Sequence, residues 1–297
     1  MKISPLDLAR DTFKDFDIDF KESNPMFSDS ITLRKCDERA EQSVVDEFIQ
    51  KLKNDTFSVS GADRQFEWEE GWSETGFKPD PFNQHINIPF YFGKNEFIRV
   101  DGALYTTSDK FAELKFLRAL HLAGYRLLDK IFTKQFALAE FGCGTGHNIA
   151  LAPNKYQKYA YDWVWASKQH LSSFPEIKFD ICDFFNESTF KAPLKNYVIF
   201  TNDALEQTGV NFRKFLDYHV HNKYCLGGIH FEPIPGHFDG VLATQSDIYH
   251  FARGYLIGLT EYFKLCQATK QITTLYSVPS GLGSKFLNSH HITLWVK

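Results

Sequence analysis

One stretch of the sequence decides the fold: Leu138-Ala139-Glu140-Phe141-Gly142-Cys143-Gly144-Thr145-Gly146. It begins as an apolar strand and ends in three glycines that are two positions apart. Glycines at this spacing allow a sharp turn from strand to helix, and they leave room for a ligand to approach the main chain. The helix that follows directs its free N–H groups at that ligand. The pattern predicts a ligand site formed by Glu140, Gly142, Cys143, Gly144 and Gly146.

The details of the stretch narrow the kind of ligand. The dinucleotide fingerprint needs a glycine where His147 stands, and the phosphate-binding loop needs a lysine that is absent here. What remains resembles the first motif of the class I S-adenosylmethionine (SAM) methyltransferases, Glu/Asp-x-Gly-x-Gly-x-Gly, which matches residues 140–146. SAM has no phosphates, so it needs close backbone approach without a phosphate-binding lysine. The resemblance implies SAM as the cofactor and S-adenosyl-L-homocysteine as its product.

Composition excludes several other classes. The formal charge of −4 over 297 residues argues against a large nucleic-acid footprint. No run of 18 apolar residues and no apolar signal core are present, so we expect no membrane span. Five scattered cysteines without a Cys-x-x-Cys pair predict reduced thiols in a cytoplasmic protein and no structural zinc. We expect a small-molecule partner and no metal.

The chain after Phe136 alternates strand and helix patterns, which predicts an α/β fold with a parallel sheet. The candidate strands are 136–141, 157–162, 177–181, 196–201, 226–232, 271–277 and 290–296. The last two are expected to pair as an antiparallel hairpin at the edge. Five parallel strands followed by such a pair resemble the Rossmann-like, seven-stranded sheet of class I methyltransferases, with helices on both faces.

Helical spacing of apolar residues predicts helices at 42–52 and 109–132, the second capped by Ser108 or Asp109. A single helix is predicted from Asp247 to Lys270, with a core-facing stripe that includes Ile248 and Phe251. Residues 61–100 look like loops with short strands at 90–92 and 97–100. We expect residues 1–104 to form an N-terminal extension, lid or substrate-recognition region, and residues 105–297 to form the SAM-binding domain.

Acidic residues at strand ends are the further cofactor candidates. Asp162 lies 20 residues beyond Gly142, where a carboxylate accepts hydrogen bonds from ribose hydroxyls; a helix cap is the alternative. Trp163 is expected either to stack on the adenine or to pack in the core. The resemblance implies that Asp183 faces the adenine amino group with Phe184 beside it, and Asp180 is the alternative register.

The fourth strand ends in Asn202-Asp203, with Glu206 and Gln207 just beyond. Ligands of open parallel sheets bind at this edge, so Asn202 is a cofactor candidate, Glu206 is a catalytic candidate that could reach an acceptor hydroxyl, and Gln207 is a candidate to bind the acceptor. The alternative is a capping box between Asp203 and Glu206.

The region before the glycine stretch offers two further candidates. Arg99 has the fork geometry that suits the SAM carboxylate, with a surface ion pair as the alternative, and Tyr105 is a substrate candidate. The aromatic segment around Trp68 and Trp72 is expected to be either a lid or a packed extension.

The fifth strand is the richest in candidate catalysts. His230 and Glu232 share one side of the strand by its period of two, and His237 follows in the loop. Histidine has a pKa suited to removing a hydroxyl proton, and a neighbouring acid can hold its tautomer. His250 and Arg253 are predicted to contact the substrate. The pair His290-His291 is predicted to pack in the edge hairpin.

The residue types favour methylation of a hydroxyl on a polar small molecule, such as a sugar or natural product. Class I enzymes that methylate nucleic-acid amino groups carry the motif Asn/Asp-Pro-Pro-Tyr/Phe after the fourth strand. This chain has Asn-Asp-Ala-Leu at that place, residues 202–205. Three alternatives stay open: a protein or RNA methyltransferase, an NAD-dependent oxidoreductase, and a non-catalytic SAM-binding module.

Overall fold

The computed structural model describes residues 1–19, 25–73, 78–89, 91–94 and 96–297. The helices in these ranges are α1 (Pro5–Thr12), α2 (Pro25–Ser28), α3 (Glu38–Lys53), α4 (Gln65–Ser73), α5 (Ala112–Ile131), α6 (His147–Leu151), α7 (Ala166–His170), α8 (Phe212–His221), α9 (Val241–Ala252) and α10 (Leu259–Ala268). Short 3₁₀ turns cover Ala62–Arg64, Glu187–Thr189 and Leu205–Thr208. Within the described chain, no helix has both the length and the apolar character needed to cross a membrane.

The described strands are β1 (Lys2–Ile3), β2 (Ile31–Thr32), β3 (Arg34–Lys35), β4 (Lys78–Asp80), β5 (Asn83–Ile88), β6 (Phe97–Val100), β7 (Ala103–Thr106), β8 (Ala137–Phe141), β9 (Gln157–Asp162), β10 (Lys178–Ile181), β11 (Tyr197–Asn202), β12 (Cys225–Pro233), β13 (Thr273–Pro279), β14 (Leu282–Gly283) and β15 (His290–Val296). Of the predicted strand at 90–92, Phe90 lies outside the described residues, and Tyr91 and Phe92 form a turn.

The central sheet has seven strands in the order β10-β9-β8-β11-β12-β15-β13. The first five run parallel, while β15 is antiparallel to both β12 and β13. The mixed α/β architecture with a mostly parallel sheet is therefore confirmed. Strands β9 and β10 are added on one side of β8, and β11 and β12 are added on its other side. The carboxyl ends of β8 and β11 therefore flank the crevice where ligands of such sheets bind.

The inner strands β8, β11 and β12 are buried on both faces of the central sheet, and alternate residues along them face opposite sides. In β11, Val198 and Phe200 pack into one core with α5, whereas Tyr197 and Ile199 pack into the other core with α8 and α10. The same alternation holds in β12, where Ile229 and Phe231 pack into the core that contains α5. A side chain of this sheet therefore reaches the ligand crevice only from a strand end.

The predicted helix at 247–270 is wrong as a single element. The structure breaks it into α9 and α10 at Gly254 and Gly258, whose φ angles are +63° and +85°. The intervening backbone instead donates hydrogen bonds from Leu256 N to Glu206 O and from Ile257 N to Gly209 O, at 3.0 Å each. The break leaves the predicted core residues Ile248 and Phe251 exposed by 42% and 56%.

A second sheet joins the two predicted regions. Its order is β14-β6-β7-β3, so strands from residues 34–106 pair with a strand at 282–283. The predicted boundary at 104/105 falls inside β7, and residues from both sides of it, such as Ile98 and Leu114, share one hydrophobic core. The predicted helix at 109–132 begins at Ala112, where Asp109 Oδ1 accepts a hydrogen bond from Phe111 N at 3.0 Å.

Candidate functional site

The glycine stretch forms a tight turn between β8 and α6. Gly142, Gly144 and Gly146 have φ angles of +74°, +53° and +71°, which L side chains rarely adopt. A Cβ on Gly142 would lie 2.4 Å from the Cβ of Ala204, so the turn packs directly against the end of β11. A Cβ on Gly144 would lie 3.0 Å from the Trp72 ring, so α4 approaches the turn from the other side.

A cavity of about 430 Å³ opens beside this turn at the carboxyl ends of the parallel strands. Its size is typical of small-molecule sites, which span about 300–1,000 Å³. Ten of the predicted site residues line it: Gly142, Cys143, Gly144, Asp162, Trp163, Phe184, Asn202, Glu206, Gln207 and Arg253. The structure thus brings together candidates from four strand ends and from the end of α9.

One end of the cavity is built on the end of β9. Asp162 is buried, and its carboxylate accepts hydrogen bonds from Gly144 N at 2.7 Å and from Trp163 N at 2.9 Å. Burial raises the pKa of Asp162 to about 6, although these backbone hydrogen bonds lower it. The Trp163 and Phe185 rings lie 5.8 Å apart between centroids and, with Phe184, provide flat apolar surface at this end.

The other end of the cavity carries a histidine–carboxylate pair. His290 Nε2 lies 2.9 Å from Asp203 Oδ1, and Asp203 also accepts a hydrogen bond from Asn202 Nδ2 at 2.9 Å. Burial lowers the pKa of His290, but the charges of Asp203 and Glu113 outweigh it and raise this pKa to about 9. Among the described residues, His290 Nδ1 is buried without a hydrogen-bond partner.

Glu232 holds this end of the cavity in place. Its fully buried carboxylate accepts hydrogen bonds from Ala204 N, Leu205 N and Glu206 N at 3.3, 3.1 and 3.0 Å. The capping box between Asp203 and Glu206 is therefore wrong, since Asp203 has a φ of +50° and its carboxylate faces His290. Glu232 satisfies the turn's N–H groups from the neighbouring strand and does not line the cavity.

Three predicted cofactor residues do not line the cavity in the part of the chain that the structure describes. Their contacts stabilise the segments that form its walls. Glu140 accepts hydrogen bonds from Asn148 Nδ2 and Ile149 N, both at 3.0 Å, and so anchors α6. Gly146 is packed against Leu171. Asp183 Oδ1 accepts a hydrogen bond from Phe185 N at 2.8 Å and shapes the turn after β10.

Arg99 and Tyr105 also lie away from the described cavity lining. The Arg99 guanidinium is fully buried and donates hydrogen bonds to Leu242 O at 2.8 Å and to Lys285 O at 3.0 Å. It also binds the side chains of Gln245 and Asn288, so it ties β6 to α9 and to the turn before β15. Tyr105 lies in β7 and packs against the hydrophobic core.

The predicted catalytic histidines are not brought together at the cavity. His230 is fully buried between Thr201 Oγ1 and Trp295 Nε1, at 2.9 Å from each, because its side of β12 faces the core. His237 stacks on His291 with ring centroids 4.4 Å apart. The substrate candidate His250 is buried and bonded to Leu256 O. These positions correspond to structural contacts.

The sequence analysis assigned His290 to packing in the edge hairpin and did not consider Glu113, but both residues line the cavity. The topology of the sheet places both residues at the edge where ligands bind. Because β15 runs antiparallel to β12, its first residue lies at the edge where the parallel strands end. Because α5 leads into the start of β8, its first turn lies at the same edge. Burial raises the pKa of Glu113 to about 7.

Helix α4 covers the glycine turn. Trp68 and Trp72 stack with ring centroids 5.5 Å apart, and both line the cavity. Three polar contacts join α4 to the segment around α7: Gln65 Nε2 to Trp163 O, Ala166 N to Glu69 Oε1, and His170 Nε2 with Trp72 O, at 2.9, 3.1 and 2.8 Å. The described residues contain no group of three or more His, Cys, Asp or Glu that could hold a metal ion.

Comparison with solved structures identifies the architecture. The N-methyltransferase NodS from Bradyrhizobium japonicum WM9, in complex with S-adenosyl-L-homocysteine, matches 80% of this chain and 99% of its own, with a TM-score of 0.51 and 11% identity. The chain has the class I methyltransferase fold. Magnesium protoporphyrin IX methyltransferase (ChlM) from Synechocystis PCC 6803, with the same bound product, is similar over 65% of this chain and 89% of its own, with a TM-score of 0.45 and 12% identity.

The chain spans about half the length of LepI, whose complex with SAM matches 62% of this chain and 51% of its own, with a TM-score of 0.41 and 11% identity. No model of a known protein family and no curated protein matches the sequence. At these identities the likeness concerns the fold.

Proposed function

We propose that this protein is a SAM-dependent methyltransferase that methylates a hydroxyl group of a polar small molecule. One observation carries the proposal: a single cavity joins the glycine turn and Asp162 at one end to the Asp203–His290 pair at the other. A cofactor end and a proton-accepting end within one enclosure are what transfer of a methyl group to a hydroxyl requires.

The cofactor end fits SAM in three respects. The turn at Gly142 and Gly144 leaves main chain without a Cβ beside the cavity. Asp162 Oδ2 accepts one backbone hydrogen bond, from Gly144 N, and keeps acceptor capacity for a ribose hydroxyl, whereas Oδ1 accepts from both Trp163 N and Val164 N. Phe184 offers a flat apolar surface for adenine. When bound, SAM supplies an electrophilic methyl group on its sulfonium.

We assign proton removal to His290. Asp203 holds Nε2, which leaves Nδ1, buried and without a partner in the described chain, to accept the hydroxyl proton. Nδ1 would take the hydroxyl proton as the acceptor oxygen attacks, and bound SAM would supply the methyl group and leave as S-adenosyl-L-homocysteine. Trp68 and Trp72 line the cavity above the glycine turn and, in this proposal, exclude water from it.

Calorimetric titration with SAM and with NAD tests the cofactor assignment. We expect SAM to bind and NAD not to bind. Asp162→Asn should weaken SAM binding about tenfold to hundredfold, since hydrogen bonds to a charged group contribute about 1.5–3 kcal/mol each. The control Asp180→Asn changes a half-buried acid of β10 that is paired with Lys191, and this variant should bind SAM normally. Binding of NAD alone, or unchanged SAM affinity in Asp162→Asn, would contradict the assignment.

Release of S-adenosyl-L-homocysteine in the presence of hydroxylated small molecules tests the reaction. His290→Gln should keep its SAM affinity and lose turnover. In the original protein, kcat/KM should rise with pH up to about 9, because only the neutral imidazole accepts a proton and the pKa of His290 is about 9. Methyl transfer into protein or RNA instead, or SAM binding with no transfer from any extract, would favour the other functional classes.

A further inference from the structure

Arg253 lies at the end of α9 with its guanidinium only partly engaged. It lines the cavity, and its guanidinium carbon lies 5.8 Å from the Tyr249 ring centroid and 5.1 Å from that of Tyr255. Among the described residues, Nη1 donates a hydrogen bond to Tyr249 Oη at 3.3 Å. Its Nε–H is buried and has no acceptor among the described residues.

The charge of Arg253 is also poorly balanced. No carboxylate of the described chain lies within 4.0 Å of its guanidinium. The nearby acid Glu206 is buried, and burial together with Asp203 and Glu232 raises its pKa well above the usual range, which favours the neutral carboxyl. Asp203 is paired with His290. The guanidinium is therefore a cation beside the cavity that forms no direct ion pair with a carboxylate of the described residues.

We propose that Arg253 binds an anionic group of the methyl acceptor, a carboxylate or a phosphate. This inference rests on the proposed function, because it names the class of acceptor that the same cavity takes. A guanidinium offers planar N–H donors that match either anion, and the two tyrosine rings fix its plane. The acceptor is then an anionic hydroxyl compound, such as a hydroxy acid, a sugar acid or a sugar phosphate.

The arrangement also orients the acceptor. Glu206 and Gln207 line the cavity together with Arg253 and His290, and the Gln207 amide donates to the Glu206 carboxyl. An anion held at Arg253 keeps its distance from the Asp203 carboxylate, which directs the uncharged hydroxyl to the Asp203–His290 end. Removal of the cation should therefore weaken acceptor binding and leave cofactor binding unchanged.

Nuclear magnetic resonance of the arginine Nε–H groups tests the inference directly. The protein is saturated with S-adenosyl-L-homocysteine and titrated with acetate in one arm and inorganic phosphate in the other. We expect a saturable shift of the Arg253 Nε–H signal, and the arm with the tighter titration identifies the anion. In calorimetric titrations with the same anions, which do not need the Arg253 signal, Arg253→Gln should weaken anion binding about tenfold to hundredfold, the loss expected for one or two charge-assisted hydrogen bonds.

The matched control is Arg213→Gln. Arg213 also lies against two aromatic rings, Phe212 and Tyr262, at 5.4 and 5.9 Å, but outside the described cavity lining. It should not change the titration. Arg253→Lys, which keeps the charge and loses the fork, should weaken binding less than Arg253→Gln and serves if the glutamine variant does not fold.

Two outcomes would overturn the inference: an Arg253 signal that neither anion shifts, or equal anion affinity in Arg253→Gln and the original protein. Failure of S-adenosyl-L-homocysteine to bind would instead count against the proposed function. In that case the anion titration is repeated without S-adenosyl-L-homocysteine. Failure of the cofactor assignment and failure of anion binding at Arg253 can then be told apart.

Discussion

The contact between Gly142 and Ala204 provides the sharpest test of the site's geometry, because two costs can be separated there. In Gly142→Ala the new Cβ is forced onto a backbone with φ +74° and lies 2.4 Å from the Ala204 Cβ. The left-handed backbone costs about 1–2 kcal/mol. The overlap costs about 1–3 kcal/mol more, as overpacking of a rigid core does. We expect a total loss of about 2–5 kcal/mol in the free energy of unfolding.

Gly236→Ala isolates the backbone cost. Gly236 has φ +85°, and a Cβ there would meet nothing within 4 Å. Both substitutions reduce the entropy of the unfolded chain in the same way. Gly236→Ala should therefore lose about 1–2 kcal/mol by the backbone cost alone. The difference between the two variants measures the overlap.

Urea unfolding followed by tryptophan fluorescence measures these losses. The double variant Gly142→Ala/Ala204→Gly removes the overlapping Cβ and should recover about 1–3 kcal/mol relative to additivity. SAM binding to the single variant should also weaken, because Gly142 lines the cavity. Equal losses in Gly142→Ala and Gly236→Ala, or no recovery in the double variant, would refute the packing of the turn against β11.

Two further predictions concern buried carboxyl groups. Glu232→Gln should lower the free energy of unfolding by about 2–3 kcal/mol in urea titrations, since the amide cannot accept all three N–H bonds; the exposed Glu187→Gln is its control. If Glu232→Gln were as stable as the original protein but had lost methyl transfer, Glu232 would have a catalytic role after all. The pKa of Glu113 is raised to about 7, above its unfolded value, so its contribution to stability is full below about pH 4.5 and is lost as pH rises through 7. Glu113→Gln should flatten the melting temperature between pH 5 and 8, and an unchanged slope would contradict the burial of this carboxyl.

Local pattern determined much of this protein. The strand before Gly142, the three glycines and the acid at the end of β9 are properties of short segments, because turn geometry and the period of two act between near neighbours. The same holds for the alternation that predicts the parallel sheet. Where local signals conflicted, the interpretation failed: the apolar stripe continued across Gly254 and Gly258, but the backbone there binds the turn after β11.

Tertiary structure decided which polar side chains face the cavity. His230 has the residue type of a catalyst, yet its side of β12 faces the core, whereas His290 begins an antiparallel strand at the ligand edge. Glu113 and Arg253 reach the same cavity from the start of α5 and the end of α9. These outcomes depend on the direction of strands far apart in sequence. The sequence alone thus determined the fold and the glycine turn, and only the packing of distant elements assembled the acceptor end.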